Sequence, residues 1–309
     1  MKATRLIVVA VLIIAGCGKS PPAGTGSLAD ARRGFATKPR PSRGDRAPAD
    51  DPPPNVFRLV RYDSPVGKLA AYLTPDPMDG KKRPAIVWIT GGDCNSIGDC
   101  WSDSPPDNDQ RASAFRKAGI AMMVPALRGG NDNPGMKEGF FGEVDDVLAA
   151  ADFLAKQPYV DPARIYLGGH STGGTLVLLT AECSDRFRAV FSFGPVEDVA
   201  GYGADSGFLP FNVRDPHEIR VRSPGYWLSS IKSPVFVIEG MRDGNGDSLQ
   251  AMARTANNPK ITFLPVRRAT HFSVLTPANK VIAQKILKDD GPQSNLTITE
   301  EELNKAPGK

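Results

Sequence analysis

Arg164-Ile165-Tyr166-Leu167-Gly168-Gly169-His170-Ser171-Thr172-Gly173-Gly174-Thr175-Leu176-Val177-Leu178-Leu179-Thr180 is the stretch that decides how this chain folds. Arg164 to Leu167 is a short β-prone run, Gly169 to Gly173 is a five-residue turn signal, and Leu176 to Leu179 continue as a buried helix. The order is strand, sharp turn, helix. A serine at such a turn is held in a strained backbone conformation that projects its hydroxyl from the carboxyl end of a sheet, and flanking glycines let neighbouring backbone pass without Cβ clashes. Ser171 is therefore the candidate nucleophile at the apex of an elbow. In a chain with 31 glycines the five-residue pattern alone says little, so the strand before it and the helix after it carry the reading.

Outward from the elbow, strand and helix signals alternate in both directions. Val56 to Asp63 and Lys68 to Leu73, joined by Ser64-Pro65-Val66-Gly67, predict an antiparallel hairpin at a sheet edge. Ala85 to Thr90 is a continuous apolar strand, which implies burial on both faces. A helix over Asp109 to Ala118, a strand over Ile120 to Val124 and a helix over Glu143 to Gln157 lead into the elbow strand. Beyond the elbow helix follow strand Ala189 to Phe193, strand Val235 to Gly240, helix Asp247 to Ala256, strand Ile261 to Val266 and helix Pro277 to Leu287. Eight strands with interleaved helices predict a mostly parallel, doubly wound α/β sheet with helices on both faces, the α/β-hydrolase fold. The irregular segment 196–230, with Tyr202, Phe208, Phe211, Tyr226 and Trp227, is a candidate small cap over the site.

A serine hydroxyl is a poor nucleophile at neutral pH, so it needs a histidine to take its proton and a carboxylate to orient and stabilise that imidazole. In this fold the partners follow the serine in the order acid, then histidine. Of the three histidines, His170 lies within the elbow, His217 lies in the irregular segment, and only His271 follows the last strand at a carboxyl-end loop. Asp243, in the loop after strand Val235 to Ile238, is the leading candidate acid. Asp247, Glu239, Glu197 and Asp198 are the alternatives. The tetrahedral intermediate needs preorganised backbone N–H groups for its oxyanion. Thr172, at the helix N-terminus, is one expected donor, and the amide of Gly92 or Asp93 in the glycine-rich loop after Ile89 is the other.

Three further motifs accompany the elbow: the Arg128-Gly129-Gly130 turn, the run Tyr159-Val160-Asp161-Pro162-Ala163-Arg164-Ile165 leading into Gly-His-Ser-Thr-Gly-Gly, and Arg222-Ser223-Pro224 ahead of Ile231-Lys232-Ser233-Pro234. Together they resemble the catalytic domain of the prolyl oligopeptidase family of serine peptidases, from about Ala85 to Leu287. The resemblance implies Ser171 as nucleophile, Asp243 as acid and His271 as base. It also implies cleavage of an amide or ester through an acyl-enzyme. The chain departs from many relatives in having Thr90-Gly91-Gly92 where they have His-Gly-Gly. The larger peptidases carry a β-propeller that screens substrates, whereas only about 85 residues precede the third strand here, so no propeller is expected. That leaves a peptidase, a carboxylesterase or another acyl hydrolase as readings, with a non-catalytic binding lipoprotein on the same scaffold as the rival from another class.

The N-terminus carries an address. Lys2 and Arg5, then the apolar run Leu6 to Ala15, then small residues before Cys17 describe a secretory signal peptide over 1–17. Ile14-Ala15-Gly16-Cys17 resembles a bacterial lipobox, which implies lipidation of Cys17, a membrane anchor and a location in the cell envelope. Residues 18–55, rich in proline and small residues, read as a disordered tether, 56–289 as the catalytic domain and 290–309 as a polar tail with at most a turn of helix near Thr299 to Leu303. Cys94 and Cys100 are close enough in sequence to close a small loop as a candidate disulfide in an oxidising compartment, and Cys183 reads as a buried thiol. The formal charge of +4, from 38 basic and 34 acidic residues, forms no basic stripe that would point to nucleic acid. No metal-ligand spacing and no dinucleotide fingerprint is present, so no cofactor is expected. The expected partners are a peptide or small ester substrate and a membrane surface.

Overall fold

The computed structural model describes residues 26–41, 46–105, 107–203 and 207–305. Its centre is a single eight-stranded sheet in the order β1-β2-β4-β3-β5-β6-β7-β8. Arg58–Ser64 (β1) and Gly67–Leu73 (β2) form the antiparallel edge hairpin, with Ser64 opposite Gly67, and β2 pairs antiparallel with Ala121–Pro125 (β4). From there every pairing is parallel: Arg83–Ile89 (β3), Val160–His170 (β5), Val190–Phe193 (β6), Val235–Gly240 (β7) and Ile261–Val266 (β8). The sheet runs from β3 outward to β4 and then back across to β5. The chain therefore reverses direction at β3, and in such sheets the crevice at the carboxyl ends beside the switch receives the ligand.

Parallel strands need crossovers, and the crossover helices bury both faces. Along β3, Ala85, Val87 and Ile89 face one core while Ile86 and Trp88 face the other, as the period of two requires. Glu143–Ala155 (α3), Thr172–Cys183 (α4) and Gly246–Thr255 (α6) cover the first face; Ser113–Lys117 (α2) and Leu275–Lys288 (α7) cover the second. Between β6 and β7, the described residues of 196–230 hold short elements: 3-10 turns at Val199–Tyr202, Pro224–Tyr226 and Leu228–Ser230, and helix Pro216–Arg220 (α5), which carries His217.

Two terminal expectations are corrected. The tether reading of 18–55 fails for its described part. Leu28–Arg32 (α1) is a capped helical turn, with Leu28 fully buried in the first core and Ser27 Oγ accepting from Asp30 N. Arg32 pairs with Asp145 at 2.8 Å, Phe35 meets Phe141 edge-on, Thr37 Oγ1 donates to Glu218, and Tyr72 donates to Asp50 O. A handful of apolar anchors suffices because the surface they meet is already formed, and hydrogen bonds hold the rest of the strap. The tail likewise packs. Glu300–Lys305 (α8) buries Leu303 against the second core, and Asn304 Oδ1 accepts from Arg267 N just past the edge strand β8. Covering an edge strand blocks unwanted pairing there. The leader 1–17, with Cys17, lies outside the described residues. Among the described residues no helix is long and apolar enough to cross a membrane.

Candidate active site

Ser171 stands between β5 and α4 with φ 57° and ψ −116°, a region that non-glycine residues rarely occupy. Its N–H donates to Phe193 O at 2.7 Å, and Thr175 N donates to Ser171 O at 2.9 Å, so the turn is fixed from the neighbouring strand and from the first turn of its own helix. Thr172 is the first residue of α4, where backbone N–H groups have no intrahelical acceptor and point out of the helix end. That leaves its amide free to meet an oxyanion beside the serine.

The loop after β3 is tied to that helix end. Thr172 Oγ1 donates to Gly92 O at 2.9 Å, and Gly92 takes φ +74°. The Asp93 carboxylate turns away to Lys137 at 2.7 Å and to Ser96 Oγ at 2.8 Å, leaving the backbone of Gly92 and Asp93 as the part of the loop beside the nucleophile helix. The expected bridge between Cys94 and Cys100 is corrected: both are free, buried thiols. Six residues apart in sequence, they belong to different cores, Cys94 to the one that holds α4 and Cys100 to the one that holds α7. Burial pushes the Cys100 thiol up to about 12 and the Cys94 thiol higher still, so neither is a nucleophile at neutral pH. Hydrogen bonds hold the loop instead. Asn95 Nδ2 donates to Arg128 O at 2.8 Å and to Glu143 Oε1 at 3.1 Å, while Asn131 Oδ1 accepts from Ile97 N at 2.8 Å.

His271 arrives on the loop between β8 and α7. Its ring lies against Gly194, directly after the Phe193 carbonyl that holds Ser171, and the structure thereby brings histidine and serine to one corner of the sheet. No hydrogen bond joins Ser171 Oγ to the imidazole among the described residues; such bonds are often long in a free enzyme and tighten with substrate. The elbow neighbour His170 is nine-tenths or more buried and supports this loop by donating from Nε2 to His271 O at 3.1 Å. Burial, then the nearby His271, pushes His170 down to about 3, so it remains neutral.

The acid expectation is corrected by geometry. His271 Nδ1 lies 3.1 and 3.2 Å from the two oxygens of Glu239, the next-to-last residue of β7, which is fully buried. Asp243 sits four residues further on in the exposed loop, and its Oδ1 accepts from the backbone N of His271 at 2.6 Å. Of the alternatives, Asp198 caps the 3-10 turn Val199–Tyr202 by accepting from Ala200 N. Glu239 did leave a signal: it is the one ionisable residue in the run Val-Phe-Val-Ile-Glu-Gly, and a charge in a buried strand is rare unless it is paired.

In the candidate cap, Tyr202 stacks on Phe140 and its hydroxyl lies 2.6 Å from Thr175 Oγ1 on the nucleophile helix. Phe211 and Trp227 are buried, Phe211 beneath the Arg222 guanidinium, so these aromatics are packing residues. Phe208, beside Tyr202, and Phe272, beside His271, are the exposed aromatics near the site.

Residues 106–258 match the prolyl oligopeptidase family. The uncharacterized peptidase YtmA of Bacillus subtilis is 30% identical over 148 residues, which are 44% of this chain and 56% of that one. Dipeptidyl-peptidase 5 of Porphyromonas gingivalis is 28% identical over 204 residues, 59% of this chain and 28% of that one. Among solved structures, a Mycobacterium tuberculosis puromycin-hydrolyzing peptidase superposes with a TM-score of 0.61 at 21% identity, over 75% of this chain and 39% of its own. The Pyrococcus horikoshii acylaminoacyl peptidase gives 0.58 at 16% identity, over 81% and 44%. The chain thus spans little more than half of the one relative and under a third of the other, and the structural likeness establishes the α/β-hydrolase fold.

Proposed function

The chain carries a prolyl oligopeptidase family domain, and from that premise we propose that it is a serine hydrolase of the peptidase type, cleaving amide bonds in peptides through an acyl-enzyme on Ser171. The observation that carries the proposal is the strained apex of Ser171 between a helix N-terminus and an imidazole whose other nitrogen faces a buried carboxylate. Ser171 Oγ attacks the substrate carbonyl and His271 Nε2 takes its proton. The carboxylate at Nδ1 holds the tautomer with its lone pair toward the serine and stabilises the imidazolium that forms. The amide of Thr172 and that of Gly92 or Asp93 meet the oxyanion. The imidazolium then protonates the leaving amine, and water, deprotonated by the same nitrogen, releases the acid product.

A fluorophosphonate probe applied to the full chain tests this directly. We expect a single adduct, located by mass spectrometry on the peptide that contains Ser171, and turnover of chromogenic peptide amides. An adduct with turnover of esters alone would replace the peptidase reading with a carboxylesterase. A folded protein that takes no adduct would favour a binding scaffold.

The cell envelope as its location is part of the same proposal, supported by the charged, apolar and small-residue order of 1–17 and by Cys17. Lipid on that cysteine would hold the protein to membranes, so Cys17→Ser is expected to move it from the membrane fraction to the soluble fraction. Retention in the membrane fraction would refute the anchor.

A further inference from the structure

Glu239 and His271 share a space that holds little else. Besides the imidazole, the Glu239 carboxylate takes the backbone N–H of Asn245, and the Asn245 side chain in turn donates to Gly194 O at 2.7 Å. Two glycines with positive φ wall the pair in, Gly194 at +55° and Gly244 at +80°. A Cβ on Gly194 would overlap both Glu239 Oε2 and the His271 ring. One on Gly244 would lie 2.7 Å from Glu239 Oε1 and from His271 Cβ. Side chains have been kept out of the two places where they would separate this carboxylate from this ring. Asp243 has no comparable seat. It is exposed, and its Oδ1 is already engaged by the peptide N–H of the histidine.

We infer that Glu239 at the end of β7 is the positioning carboxylate of His271, and that Asp243 clamps the backbone of the histidine loop rather than the imidazole. The inference rests on the hydrolase reading above and assigns a part of it. With Glu239 ionised, Nδ1–H donates to the carboxylate and Nε2 presents its lone pair to Ser171. With Glu239 protonated, the carboxyl O–H donates to Nδ1 and the proton on the ring moves to Nε2, the tautomer that cannot accept from serine.

The surroundings make that ionisation conditional. Burial raises the carboxyl above the usual range, His271 lowers it, and Asp243 from the following loop raises it again. From the cap, the buried Tyr202 phenol feels the Glu239 charge, and burial, helped by that charge, keeps it protonated. A carboxyl raised in this way keeps its proton to higher pH, so the acid limb of kcat/KM lies above that of an ordinary glutamate, and neutralising Asp243 moves the limb downward.

Three proteins decide the matter: wild type, Glu239→Gln and Asp243→Asn. In Glu239→Gln we expect kcat to fall by roughly a thousand- to ten-thousand-fold with KM little changed, as when the imidazole loses the carboxylate that sets its tautomer. In Asp243→Asn, whose amide oxygen can still accept from the His271 N–H, we expect kcat within about tenfold and an acid limb at lower pH. Proton NMR supplies a readout that needs no turnover. A low-field Nδ1–H resonance should be present in wild type and Asp243→Asn and missing from folded Glu239→Gln. A fall in Asp243→Asn as large as that in Glu239→Gln, or a low-field proton that disappears only with Asp243→Asn, overturns the assignment. If Glu239→Gln does not fold, near-wild-type kcat in Asp243→Asn still supports it and a thousand-fold loss there still refutes it. Absence of any Ser171 adduct in wild type would instead refute the hydrolase reading, and the NMR would then judge the pair alone.

Discussion

Ser171→Ala is expected to lower kcat by about a million-fold, or roughly 8 kcal/mol of transition-state stabilisation, while the protein remains folded. His271→Ala should cost about as much, and the double variant no more than either, because the hydroxyl and imidazole act as one unit and neither does chemistry without the other. What survives is the rate left by the Thr172 and Gly92 or Asp93 amides and by substrate binding. The elbow adds a second readout. Ser171 holds φ 57° and ψ −116° against the preference of any residue with a Cβ, a strain of about 1–3 kcal/mol. Alanine keeps the Cβ and hence the strain. Ser171→Gly loses the nucleophile equally, but it should be the more stable of the two by about 1 kcal/mol, once the greater freedom of glycine in the unfolded chain is subtracted. Urea unfolding of the pair measures this. An alanine variant as stable as the glycine one would mean that the elbow stores no strain, and activity surviving in either would remove Ser171 from the chemistry.

The parts of this architecture that could be read from sequence are those in which many residues repeat one message. Val235 to Gly240 and Ile261 to Val266 are β-branched and apolar runs with turn residues at their ends, and the structure gives them as β7 and β8 with those bounds. The match of 106–258 to the prolyl oligopeptidase family was legible for a similar reason, in an ordered series of short motifs. Messages carried by single residues were lost. Leu28, Phe35 and Ala49 seat the strap and Leu303 seats the last helix, and apolar residues so widely spaced in polar stretches have no period to detect. The acid failed differently. Glu239 and Asp243 both lie at the carboxyl end of β7, four residues apart, and spacing cannot tell which carboxylate faces a ring brought in from 28 or 32 residues away. That choice depends on two glycines, Gly194 and Gly244, whose relation to the pair exists only after folding. Likewise Cys94 and Cys100 are near in sequence but point to opposite faces of the sheet, which only the path of their loop decides.

The same dependence on close approach makes Gly174→Ala a damaging small substitution in the elbow helix. Gly174 is the third residue of α4, where alanine would ordinarily be the better helix former by about 1 kcal/mol. Here a Cβ would overlap the carbonyl oxygen of Phe193, and it would meet the Phe193 N at 3.3 Å. The obstacle is the backbone of β6, which pairs on both sides with β5 and β7 and accepts the Ser171 N–H through that same carbonyl, so it has nowhere to move. On the opposite side of the turn, Gly173 lies so close to β3 that a Cβ there would overlap the Ile89 carbonyl, so the helix has little room to rotate away from β6. Relief requires α4 to leave the sheet, and with it go the buried contacts of Leu176, Val177, Leu178 and Leu179. We expect a loss above about 4 kcal/mol, a large part of the 5–15 kcal/mol that holds a typical domain together. Gly201→Ala is the control: its Cβ would meet only the Val196 side chain at 3.6 Å, an ordinary contact, and stability should change by less than about 0.5 kcal/mol. Equal urea midpoints for the two variants would mean that α4 does not sit on β6 as closely as the nucleophile's position demands.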